Sequence, residues 1–106
     1  MIGIFKNLFG GGSEKLAEAL KNGAILVDVR TQGEFASGCV KDSINIPLDR
    51  LSSQLEKLKK DKTIVVFCAS GIRSASAKSL LNRNGFENVI NGRGWRSVQS
   101  AVEKNR

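Results

Sequence analysis

The chain has 106 residues, 41% hydrophobic and 25% charged, which suits one domain with its own core and excludes a disordered chain. Two cysteines are too few for a disulfide scaffold, and the absence of histidine argues against a zinc site and removes imidazole activation of a nucleophile. The formal charge of +7 fits a basic surface or an anion-handling site, but the basic residues are scattered without an aromatic stacking strip, so no nucleic-acid partner is expected.

Residues 1–12, "MIGIFKNLFGGG", are only faintly like a signal peptide. Lys6 and Asn7 break the apolar stretch, and no small-residue cleavage pattern follows. A weak amphipathic anchor is one reading; a frayed tail or short edge strand is the one expected, with Gly10 to Gly12 as a flexible joint. No apolar run anywhere approaches the roughly 20 residues of a membrane span. A cytoplasmic monomer is expected.

From Ser13 to Asn22 the pattern is helical, with Ser13 as N-cap, Leu16, Ala19 and Leu20 on one face and Gly23 as the stop. "AILVDV", Ala24 to Val29, reads as a buried strand. A short helical turn follows, capped by Thr31. A short strand around Ser43 to Ile46 ends at the lone proline, Pro47. Leu48, Leu51, Leu55 and Leu58 recur at helical spacing and predict an amphipathic helix over Asp49 to Lys60. "KTIVVFC" is continuously apolar after its lysine and threonine, the mark of a strand buried on both faces. A helix over Arg73 to Asn84 turns Ala77, Leu80 and Leu81 inward and stops at Gly85. "NVIN" is a last short strand. Trp95 to Lys104 is a final helix with Trp95, Val98 and Val102 on one side.

Strands and helices alternate, so the expected class is α/β: a parallel sheet of four to five strands with helices on both faces, forming one domain over residues 13–106. Sites in such sheets form at the C-terminal ends of strands, and Cys68 stands at one. Alone, a cysteine after "IVVF" is more often a small core residue. Gly71 and Arg73 behind it, at a strand-to-helix junction, reverse that reading. Gly71 permits a backbone conformation closed to most residues. A short loop opening a helix turns N–H groups inward and places the helix's positive end behind the sulfur. Such a nest favours a thiolate and can hold an anion or a persulfide. Arg73 adds positive charge, Ser70 and Ser74 supply hydroxyls, and Ser74 is a candidate cap for the helix start.

At this point the sequence resembles the rhodanese-like domain family in its single-domain form. The resemblance runs from about Ser13 onward. It rests on the order of "LVDVR" at 26–30, "EF" at 34–35, Gly38, "INIPL" at 44–48, "VVFCASGIRSASA" at 65–77, "GF" at 85–86, "V-x-N-G" at 89–92 and Gly94-Trp95. The resemblance implies a sulfurtransferase with Cys68 as the catalytic residue. It implies that Ala69, Ser70, Gly71, Ile72, Arg73 and Ser74 bind the sulfur or the donor anion. No metal or cofactor motif competes with that reading, and none is expected. The implied donor is thiosulfate or a similar small anion. The implied acceptor is cyanide, a thiol or a thioredoxin-like protein. Phosphatases and arsenate reductases of related fold carry one more loop residue, and the shorter cradle here suits sulfur better than phosphate. Two alternatives stay open: a sulfur-carrier or regulatory binding module, and a thiol-redox or arsenate-reductase-like protein using Cys68 and Cys39.

Several departures and bland readings accompany the resemblance. The family commonly has histidine where this chain has Cys39; a tolerated small replacement is expected, with a redox partner for Cys68 as the sharper reading. Such a bridge needs Cα atoms within ~7 Å. Arg93 interrupts the usual glycine pair. Arg93 and Arg96 either line the mouth of the site or are solvated surface charges. Arg30 and Glu34, four apart, are expected to pair. Asp28 is expected to hydrogen-bond loop backbone, and Trp95 to anchor the core.

Overall fold

The computed structural model describes residues 14–105. The expected cap Ser13 and the tail or edge strand at 1–12 lie outside them. The elements in chain order are helix α1 (14–21), strand β1 (Ile25–Asp28), helix α2 (Gln32–Ser37), strand β2 (Ile44–Asn45), helix α3 (Leu48–Leu51), a 3₁₀ turn (Leu55–Lys57), strand β3 (Ile64–Cys68), helix α4 (Ile72–Arg83), strand β4 (Val89–Gly94) and helix α5 (Trp95–Lys104). The four strands pair in parallel in the order β2-β1-β3-β4.

The two-faced burial read from "IVVFC" is what the structure shows. All five residues of β3 are buried, and alternate residues serve opposite layers. Ile64, Val66 and Cys68 join Leu51 of α3 and Ala77 and Leu81 of α4 in one apolar cluster. Val65 and Phe67 join Leu16 and Ala19 of α1 and Val98 of α5 in a second. Each face of the sheet is therefore covered by helices, and β3 runs between two cores.

The amphipathic helix expected over Asp49 to Lys60 is interrupted. α3 stops at Leu51, the chain turns through Ser52 and Ser53, and a 3₁₀ turn takes up Leu55–Lys57. Ser53 Oγ donates to the Arg50 carbonyl at 2.8 Å, the kind of local bond by which serine competes with helix continuation. The leucine pattern nevertheless does its work: Leu51 and Leu58 are buried, and Leu48 and Leu55 pack against the same cluster. The periodicity reported a buried stripe, which a broken helix also satisfies.

β4 is longer than "NVIN" suggested, and it carries a bulge. Val66 pairs with Asn91 but Phe67 pairs with Arg93, so Gly92 is the extra residue. A side chain at Gly92 would meet Val98 Cγ2 at 2.7 Å and Val65 Cγ1 at 3.0 Å. Arg93 has a positive φ of 68°. The bulge thus occupies the stretch of β4 that lies beside the end of β3. Among the described residues, no helix is long and apolar enough to cross a membrane.

Candidate active site

β3 ends at Cys68 and α4 begins at Ile72, so three residues make the turn. Gly71 makes it feasible. Its φ is +111°, and a Cβ there would press on Arg93 Cβ at 3.3 Å. The turn brings the Gly71 N–H back onto Cys68 Sγ, with N···S 3.0 Å. Ser74, one turn into α4, is fully buried, and its Oγ lies 3.5 Å from Sγ. The N-cap position belongs to Gly71 rather than Ser74, but the Ser74 hydroxyl does bond at the helix start, to the Gly71 carbonyl at 3.1 Å, besides facing Asn91 and the sulfur.

Cys68 is 1% exposed. Burial pushes the thiol up, but the Ser74 hydroxyl and the backbone N–H groups of Ser74, Gly71 and Ser70 more than offset it. The thiol is lowered from its ordinary 9.0 to about 7. The first turn of α4 contains no acidic residue to oppose this. The lowering favours the thiolate near neutral pH, and it comes from hydrogen bonds to the sulfur rather than from an imidazole base, since the chain has no histidine.

The remaining residues singled out in the loop fall into two groups. Ala69, Ser70 and Ile72 are exposed and form its outer lip, with Ile72 the most exposed large apolar side chain among the described residues at 78%. Arg73 is half-buried and committed elsewhere. Its Nη1 and Nη2 donate to the two carboxylate oxygens of Glu34 at 2.7 and 3.0 Å. The Arg73 hydrogen bonds, with the Thr31 N–H, hold Glu34 at about 2, far below its ordinary 4.5. Thr31 and Glu34 form a reciprocal capping box at the start of α2, which places the carboxylate for Arg73.

This corrects the pairing expected from spacing. Arg30 does not pair with Glu34. Its Nε and Nη2 donate to Asp28 at 2.7–3.0 Å, and its Nη2 also donates to the Gly38 carbonyl at 2.7 Å. Asp28, fully buried, also accepts the Arg30 backbone N–H, the backbone role expected of it. The ring of Trp95 receives two guanidinium groups, Arg30 at 4.7 Å and Arg96 at 5.1 Å from its centroid, and it packs on the second core cluster. Trp95 thus anchors the core and also clamps Arg30.

Two contacts were not foreseen. The Glu34–Arg73 pair spans 39 residues, beyond the reach of any local rule. Asn91 appeared in the sequence only as a piece of "V-x-N-G". In the fold its Oδ1 accepts from Ser74 Oγ at 2.7 Å and from the Arg93 N–H at 2.9 Å. The available signal was position: a polar residue near the end of the strand next to the cysteine strand. Arg93 and Arg96 are exposed, and neither has a carboxylate partner among the described residues. Gly94 pairs with Cys68 in the sheet, so Arg93 flanks the loop. Cys39 is exposed, and both cysteines are free thiols.

Comparison with known proteins meets this geometry. The family model for the rhodanese-like domain matches residues 13–100. A protein named sulfurtransferase from Allochromatium vinosum is 34% identical over 84 residues, covering 77% of this chain and 78% of that one. Among solved structures, the human single-domain sulfurtransferase TSTD1 superposes with a TM-score of 0.72 at 29% identity, covering 79% of this chain and 88% of that one. A rhodanese-related protein from Thermoplasma volcanium gives 0.69 at 35% identity, covering 87% and 88%. The chain also matches larger proteins in part: it spans 21% of a tRNA uridine(34) hydroxylase from Cronobacter sakazakii, at 35% identity.

Proposed function

The chain belongs to the rhodanese-like domain family, and on that premise we propose that it transfers sulfane sulfur from thiosulfate or a similar donor to a thiol or cyanide through a persulfide on Cys68. The observation that carries this reading is the environment of Cys68 Sγ. It is buried at the end of β3, takes the Gly71 N–H at 3.0 Å and is lowered to about 7. A buried thiolate supported by N–H groups, with no imidazole in the chain, is suited to attack a sulfur that leaves as a stable anion.

The Cys68 thiolate attacks the outer sulfur of thiosulfate. A new S–S bond forms, the donor S–S bond breaks, and sulfite departs with the electron pair. The terminal sulfur of the persulfide, now carrying the charge, occupies the loop Ala69 to Ser74. A thiolate or cyanide then attacks that outer sulfur, and Cys68 leaves as thiolate, ready for the next cycle. Exposed Arg93 at the rim supplies positive charge for the sulfonate end of the donor.

The Glu34–Arg73 pair supports sulfur over phosphate. Arg73 neutralised by a bidentate carboxylate offers little net charge to a phosphate group seated in the loop, whereas thiosulfate brings only its outer sulfur there and keeps its sulfonate at the rim beside Arg93. Incubation with thiosulfate followed by intact-mass measurement tests the reading. One added sulfur atom on the wild type, absent from Cys68→Ser, is the expected result. No added sulfur, with ready formation of a Cys39–Cys68 disulfide, replaces it with thiol-redox chemistry.

A further inference from the structure

Ser74 has one hydroxyl proton and three acceptors around it. Asn91 Oδ1 lies at 2.7 Å, the Gly71 carbonyl at 3.1 Å and Cys68 Sγ at 3.5 Å. The orientation of the Asn91 amide is set by its other contacts. Its Oδ1 accepts the Arg93 N–H at 2.9 Å, while its Nδ2 faces the Gly71 carbonyl at 3.5 Å. Turning the amide over would set donor against donor at Arg93 and acceptor against acceptor at Gly71. Asn91 therefore presents an acceptor to Ser74 in every state of the site.

The proton count then differs between the two states of the sulfur. When Cys68 is a thiol, its S–H donates to Ser74 Oγ and the Ser74 proton goes to Asn91. When Cys68 is a thiolate, Sγ has no proton, and the Ser74 proton turns from Asn91 to the sulfur. Asn91 keeps the Arg93 N–H meanwhile. When the sulfur carries a second sulfur, the charge moves to the outer atom, and the Ser74 proton is free to return to Asn91.

We infer that Asn91 is a positioning residue for Cys68: by competing for the Ser74 hydroxyl proton, its side-chain oxygen keeps the thiolate less tightly held, and so more nucleophilic, than Ser74 alone would leave it. The inference rests on the reading of Cys68 as the sulfur-bearing nucleophile. The physical reason is that nucleophilicity of a thiolate falls as its proton affinity falls. The bulge at Gly92 has a part in this, because it gives Arg93 the positive φ at which its N–H meets the Asn91 side chain.

The test is the pH dependence of alkylation of Cys68 in a Cys39→Ser background, which needs no sulfur donor. Replacing Asn91 with alanine leaves the Ser74 proton only the weaker Gly71 carbonyl as competitor. The midpoint is expected to fall by about half to one pH unit, the worth of one hydrogen bond. The limiting rate at high pH is expected to fall about two- to three-fold. Ser74→Ala is expected to raise the midpoint, and Asn91→Ala added to Ser74→Ala to change nothing further. Asn91→Leu, closer in volume, carries the same expectations if the alanine variant does not fold. None of these substitutions removes a charged group near Cys68: Arg73 with Glu34, Asp28 with Arg30, and Arg93 are present in every variant.

A midpoint that rises or stays put in folded Asn91 variants overturns the inference. So does an equal shift with and without Ser74, which would mark Asn91 as a packing residue. Failure of Cys68 to take up sulfur from thiosulfate, with these shifts intact, would remove the proposed donor reaction and leave the positioning role standing.

Discussion

Two neighbouring strand ends hold the chemistry of this molecule, and they treat a negative charge in opposite ways. At the end of β1, the buried Asp28 carboxylate meets the Arg30 guanidinium and the Arg30 N–H. The guanidinium is in turn held by the Gly38 carbonyl and stacked on Trp95. At the end of β3, the buried Cys68 sulfur is met by N–H groups and a hydroxyl but, among the described residues, by no side-chain cation. Its nearest guanidinium in the loop, Arg73, is occupied by Glu34. A charge that is fully paired is structural. A charge that is supported yet left without a counter-ion is reactive. Both lie at the C-terminal ends of adjacent parallel strands, and they differ in how completely they are satisfied.

The comparison breaks most sharply if each end is disabled alone. Cys68→Ser is expected to abolish persulfide formation by intact mass while leaving the thermal midpoint within a few degrees of wild type. Asp28→Ala is expected to do the reverse. It strands the Arg30 charge, which is 4% exposed, and such a loss costs about 3–5 kcal/mol of stability by denaturant titration. Any folded fraction should still be alkylated at Cys68. If Asp28→Ala is stable but unreactive, the division between the two ends is wrong.

A smaller effect is expected at the turn. Gly71→Ala forces a side chain into φ +111° against Arg93, costing roughly 1–2 kcal/mol. It should also raise the pH midpoint of Cys68 alkylation from about 7 toward its ordinary 9.0, as the Gly71 N–H is displaced from the sulfur. An unchanged midpoint would mean that the turn is dispensable to the thiolate.

The smallest effect concerns the pair that separates the two ends. Glu34 is lowered from 4.5 to about 2, so its contribution to stability is present above its ordinary value and is lost as the pH falls through about 2. Glu34→Gln should flatten that part of the acid limb. By releasing Arg73 toward the loop, it should also lower the Cys68 midpoint and strengthen inhibition by sulfate or phosphate a few-fold. If anion inhibition is unchanged, Arg73 is not what Glu34 restrains.

Much of this site was legible in residue order. The Thr31 cap, the buried run into Cys68, the turn at Gly71 and the helix from Trp95 to Lys104 are local patterns, and the fold contains each of them. Where locality failed, it failed for a reason. Arg30 and Glu34 sit four apart, but the Arg30 side chain folds back two residues to Asp28 at a strand end, where helical spacing has no meaning. Leu48, Leu51, Leu55 and Leu58 point inward from a broken helix because burial constrains the stripe and the serines release the backbone between.

The sequence by itself determined the alternation of strands and helices, the depth of β3 and the placing of a cysteine where a strand hands over to a helix. Those follow from periodicity and from hydrogen bonds a few residues long. Only the tertiary structure decided which charge meets which. Glu34 finds Arg73 across 39 residues, and Asn91 finds Ser74 across 17, because parallel strands bring distant chain segments to one edge of the sheet. The reactivity of Cys68 depends on those long-range choices, since a thiolate is tuned by every donor and every competitor within reach of its sulfur.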